Sequence, residues 1–115
     1  MDTATLKEPK EPAACQGLED IRAAIDHLDR QLIELLRRRK AYVLSAARFK
    51  PNEASIPAPE RVTRMIADRR VWAEEAGLDP EFVVSLFEPT IDWFIELQIQ
   101  HWRRQQNLVG GSRTP

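Results

Sequence analysis

The chain has 115 residues, with seventeen Lys and Arg against eighteen Asp and Glu and a formal net charge of -1. That length argues for one domain. The near-neutral balance argues against nucleic acid as the main partner, because phosphate-backbone binding draws on a cationic excess. The single cysteine, Cys15, has no internal partner for a disulfide and points to a cytoplasmic protein. No stretch reaches the roughly 18 continuous apolar residues of a membrane span.

Residues 1–16, with Pro9 and Pro12 and almost no apolar periodicity, read as a disordered leader. The helical domain is predicted over 17–107, and 108–115 as a flexible tail. From Leu18 to about Lys50 there is neither Pro nor Gly. Ile21, Ile25, Leu28, Leu32, Leu35, Tyr42, Ala46 and Phe49 recur there on a 4-3 spacing. One apolar stripe therefore runs along a helix roughly 45 Å long. Such a helix in so small a chain is expected to pack against a partner. Pro51, Pro57 and Pro59 open a loop over Pro51–Ala58, and Pro59 suits the first turn of the next helix. Val62, Met65, Ile66, Arg69, Trp72 and Ala73 carry that second, short helix, with Gly77 as its left-handed C-cap. Asp79-Pro80-Glu81 is a restart signal. The third helix, from about Pro80 to about Gln106, carries Val83, Phe87, Ile91, Phe94, Ile95, Gln98 and Trp102, with a kink expected at Pro89. The fold class is all-α, in the order long, short, long.

Two seam positions are polar. The 4-3 count from Leu35 lands on Arg39, and Gln98 falls in phase with Phe94, Ile95 and Trp102. A charge in a seam needs pairing or costs several kcal/mol. Arg39 and Gln98 therefore either line one internal polar pocket or serve structure alone, Arg39 in an ion pair with Glu34 or Asp92 and Gln98 in fixing register. Lys50 follows Arg39 by about three full turns, at the edge of the proline loop, and Arg61 opens the second helix. Arg22 lies about 25 Å of helix from Arg39, so within one chain the two cannot touch one small molecule. Arg37, Arg38, Lys40, Arg69, Arg70, Arg103 and Arg104 read as solvated surface. His27 and His101 have no ligand-spaced companions, so no metal site is expected.

The segments Gly17-Leu-Glu-Asp-Ile-Arg22, Leu35-Leu-Arg-Arg-Arg39 and Phe49-Lys50 resemble the all-helical chorismate mutase family. Ile56-Pro-Ala-Pro-Glu-Arg-Val62, Ile95-Glu-Leu-Gln98 and Trp102-Arg103 are similar to one branch of it, the isochorismate–pyruvate lyases that make salicylate for siderophores. The resemblance implies an intertwined homodimer of three-helix chains, with no cofactor and no membrane or nucleic-acid partner. It implies that Arg22 is donated across the interface to a site formed by Arg39, Lys50, Arg61 and Gln98. There Lys50 and Gln98 act at the substrate's ether oxygen, and Ala46, Met65 and Ile95 line the pocket. Mutases of the family carry a glutamate directly after the second-helix arginine. Val62 stands there instead, which favours a lyase over a chorismate mutase forming prephenate. A non-catalytic helical dimerisation module is the remaining alternative.

Overall fold

A computed structural model describes the backbone of residues 8–113 and the side chains of residues 8–107. The parts of the expected leader and tail at 1–7 and 114–115 lie outside the described residues. Three α-helices follow one another: α1 (Leu18–Ala46), α2 (Pro59–Glu75) and α3 (Pro80–Arg113). Among the described residues there is no strand, and no helix is long and apolar enough to cross a membrane.

The chain divides into two units, residues 1–40 and 41–115. In the first, a 3-10 turn at Pro12–Ala14 occupies part of the expected leader. The Lys10 ammonium lies 3.1 Å from the Asp20 carboxylate, which also accepts the Gln16 N–H at 2.9 Å. These contacts fasten the approach to α1, and the resulting charge stabilisation lowers the Asp20 pKa. The α1 helix carries no buried residue. Leu28, Leu32 and Leu35 of the predicted stripe are each more than half exposed.

The second unit holds the apolar core, built from Ala47, Ile56, Met65, Ala73, Val84, Ile91 and Phe94. Here α2 packs against α3, and α3 also meets the two 3-10 turns Ala47–Phe49 and Glu53–Ser55. The predicted first helix reached Lys50, whereas α1 ends at Ala46 and tightens into the first of these turns. A 3-10 turn keeps i and i+3 aligned, so the apolar count cannot register the change.

The α2–α3 corner follows its local chemistry. Gly77 has φ +75°, the Leu78 N–H reaches Ala73 O at 2.8 Å, and the Gly77 N–H reaches Glu74 O at 3.0 Å. This is the Schellman pair of bonds closing α2. Asp79 Oδ1 then accepts the Glu81 N–H at 3.0 Å and caps α3. The helix α3 continues through Pro89. Around that residue, the Ser85 hydroxyl donates to Phe82 O and the Thr90 hydroxyl to Leu86 O, each at 2.6 Å. Where the sequence predicts an end near Gln106, the helix runs on to Arg113.

Candidate active site

Among the described residues, Gln98 is the buried polar residue of the core, 6% exposed. It reaches that depth because it is in phase with Ile91 and Phe94, which are also buried. Its Nε2 donates to Val43 O at 2.5 Å, so one N–H of the amide is used and one remains. One turn further along α3, the Trp102 indole N–H donates to Lys50 O at 3.4 Å. Successive turns of α3 thus hold two backbone carbonyls, one near the end of α1 and one just past it.

Lys50 is half-buried. Its backbone is extended, with φ -90° and ψ 124°, where the 3-10 turn gives way to Pro51. Its ammonium turns back toward Ser55 O at 3.4 Å, long for a hydrogen bond and therefore weak. The loop beyond is ordered by Asn52, whose Oδ1 accepts the Ser55 N–H at 3.0 Å while Ser55 Oγ donates to Asn52 O at 2.7 Å. The loop ends at Ala58, held in the left-handed region with φ 40° and ψ 64°, and Pro59 begins α2 as expected.

The other positions singled out in the sequence are distributed as follows. In the second unit Met65 is buried, Ala46 and Ile95 are half-buried, and Arg61 is exposed on the first turns of α2. The charge of Arg61 is felt at Arg69. Burial first, and Arg61 second, lower the Arg69 guanidinium pKa. In the first unit Arg39 is half-buried, while its neighbours Arg37, Arg38 and Lys40 are exposed. That difference follows the 4-3 count. Glu34 is engaged by Arg37, at 2.9 Å from Nε to both carboxylate oxygens. Arg22, near the start of α1, is exposed.

Of the residues read as solvated surface, Arg69 and Arg70 are half-buried, while Arg103 is exposed but engaged in an ion pair. Arg69 is half-buried, with its guanidinium 4.7 Å from the Trp72 ring centroid and 5.4 Å from that of Phe87. Arg103 forks onto Glu53, with Nε to Oε1 at 2.7 Å and Nη2 to Oε2 at 2.8 Å. The hydrogen bonds from Arg103 hold the Glu53 carboxyl below the ordinary glutamate range. Neither Glu53 nor Val43 was singled out in the sequence, because a partner fifty residues away leaves no local pattern. Arg70, by contrast, pairs with Glu81 across the corner.

A cavity of about 480 Å³ opens beside Lys50, with Arg48, His101, Trp102 and Gln105 among its walls. Gln98 does not line it. This space flanks the Lys50 turn and cannot by itself bring Lys50 and Gln98 to one small molecule.

An all-helical protein is thereby defined, with a lysine at a capped turn and an amide sunk into its helix seam. The chain belongs to the chorismate mutase type II family, which it matches over residues 21–99. It is 53% identical over 100 residues to the isochorismate pyruvate lyase of Pseudomonas aeruginosa, covering 87% of this chain and 99% of that protein. It is also 38% identical over 69 residues to the T-protein of Haemophilus influenzae, covering 59% of this chain but 18% of that longer protein.

Proposed function

We propose that this chain is an isochorismate–pyruvate lyase, converting isochorismate to salicylate and pyruvate. The reading is carried by its likeness to the Pseudomonas lyase along nearly all of that protein's length. Val62 supports it further, standing directly after Arg61 where the mutases of the family carry a glutamate.

The substrate has two carboxylates and an enol ether. Removing a dianion from water requires fixed cations, and guanidinium forks match carboxylates in pairs. In this reading Arg39 and the Arg22 of a second copy clamp the carboxylates, and Arg61 adds positive charge. Ala46, Met65 and Ile95 supply the apolar walls. The homodimer is supported by α1 itself, a helix of 29 residues without a buried side chain. Its stripe of Ile25, Leu28, Leu32 and Leu35, each more than half exposed, gains about 25 cal/mol for each Å² that a partner covers. A cytoplasmic location belongs to the same reading.

The reaction asks the protein for no nucleophile. A hydrogen leaves the ring carbon that bears the hydroxyl and joins the enolpyruvyl methylene, making the methyl of pyruvate. The ring carbon–oxygen ether bond breaks in the same step, its electrons completing the pyruvate carbonyl while the ring becomes aromatic. The protein must fold the side chain over the ring and stabilise charge developing on the ether oxygen. Lys50 and Gln98 take the second task. The weak Ser55 contact leaves the ammonium ready to exchange one oxygen for another. The amide held by Val43 presents its second N–H.

Purified protein incubated with isochorismate should release salicylate and pyruvate in equal amounts, with a higher kcat/KM than for prephenate formation from chorismate. Greater efficiency on chorismate would make the chain a mutase instead, and turnover of neither substrate would leave only a helical dimerisation module.

A further inference from the structure

We infer that Glu53 and Arg103 form a latch that positions Lys50, so that both are positioning residues for the reaction; this rests on the lyase reading above. Lys50 is followed by Pro51, which fixes its own φ and donates no N–H. Next comes the Asn52–Ser55 turn, closed by one backbone and two side-chain hydrogen bonds. Such a turn moves as one body. It carries both Glu53, which is fastened to α3, and the Ser55 carbonyl, which receives the Lys50 ammonium.

Two adjacent residues of α3 hold this assembly. Trp102 takes the Lys50 carbonyl, and Arg103 takes the Glu53 carboxylate through two parallel bonds of 2.7 and 2.8 Å. A paired fork fixes direction as well as distance. Ala47 before the segment and Ile56 after it are each 3% exposed and anchor its ends in the core. Between those anchors the side-chain fastenings to α3 are polar. Arg103 and Glu53 are themselves about half exposed, and an exposed ion pair contributes little to global stability. It can still set which of two loop positions is populated, because that equilibrium is local and nearly balanced. The latch therefore acts on where the Lys50 ammonium waits, and little on whether the chain folds.

Arg103→Gln, Glu53→Gln and the charge exchange Glu53→Arg with Arg103→Glu test this. Hydrogen exchange of the Trp102 indole N–H, which bridges α3 to the Lys50 carbonyl, reports the latch, and steady-state salicylate formation reports its consequence. Each single variant should exchange about fivefold faster at this indole and lose about fivefold in kcat, the scale of a well-formed exposed pair. KM should stay within about twofold, and thermal unfolding should be nearly unchanged, since an interaction used only in the transition state lowers kcat. The charge exchange should recover both readouts. Unchanged exchange in the single variants would overturn the latch. Faster exchange with unchanged kcat would overturn its positioning role, as would a kcat loss that follows a lowered Tm and is not recovered by the exchange. A wild-type chain that forms no salicylate would overturn the lyase reading and the positioning role with it, while the exchange data would still decide the latch.

Discussion

Replacing Gln98 by leucine separates chemistry from packing. The side chain is 6% exposed and donates one hydrogen bond, to Val43 O. Losing that bond costs about 1 kcal/mol, rising to about 3 kcal/mol if the carbonyl is left without any donor. A leucine buried in the same seam returns about 1.5–3 kcal/mol of apolar transfer energy. The two effects nearly cancel, so stability should change by no more than about 1.5 kcal/mol, or some 10 °C in Tm for a chain of this size. Catalysis has no such compensation. Removing a preorganised donor from a developing oxyanion costs about 10²–10³-fold in kcat. Thermal circular dichroism and salicylate fluorescence on the same preparation give both quantities. A folded Gln98→Leu chain that keeps more than about a third of wild-type kcat would refute the donor role and leave Gln98 as a clasp on Val43.

Three further outcomes follow from other parts of the molecule. Ala58→Gly should raise stability by about 0.5–1 kcal/mol, since it relieves a left-handed alanine at φ 40° worth about 1–2 kcal/mol and gives back part of that as chain entropy; a lowered Tm would contradict it. The Glu53 carboxyl, followed by carbon NMR, should titrate below the ordinary glutamate range because Arg103 bonds its ionised form, and Arg103→Gln should move the midpoint up. Its folded pKa is depressed, so the pair's stabilisation is present above the unfolded pKa and fades as pH falls through the folded one; a midpoint unmoved by Arg103→Gln would remove the stated cause. Mixing equal amounts of Arg22→Ala and Lys50→Ala chains should restore about a quarter of wild-type activity, because about half of the randomly paired dimers are mixed and each of these rebuilds one of its two sites; no recovery would place Arg22 outside the partner's site.

Much of the fold was legible because local chemistry decides it. Gly77 and the Asp79-Pro80-Glu81 run specified the α2–α3 corner down to its individual bonds. The apolar phase of α3 placed Gln98 in the core, since about two helical turns carry a side chain back to nearly the same face as Ile91. The same count separated half-buried Arg39 from its exposed basic neighbours. It gave no warning of where α1 ends, because the α-helical and 3-10 periods put Ala46 and Phe49 on similar faces. Nor did it find Glu53–Arg103 or the aromatic seat of Arg69. Charge runs on a helix look alike whether solvent or a distant carboxylate receives them. The continuation of α3 through Gly110 and Gly111, each an unfavourable helix residue by about 1 kcal/mol, has no physical account in the structure.

The most direct test uses isochorismate carrying deuterium on the hydroxyl-bearing ring carbon. The protein should release unlabelled salicylate together with pyruvate holding one deuterium in its methyl group, as an internal hydrogen transfer requires. Pyruvate whose new methyl hydrogen comes from water, or no pyruvate at all, would contradict the mechanism built on Lys50 and Gln98.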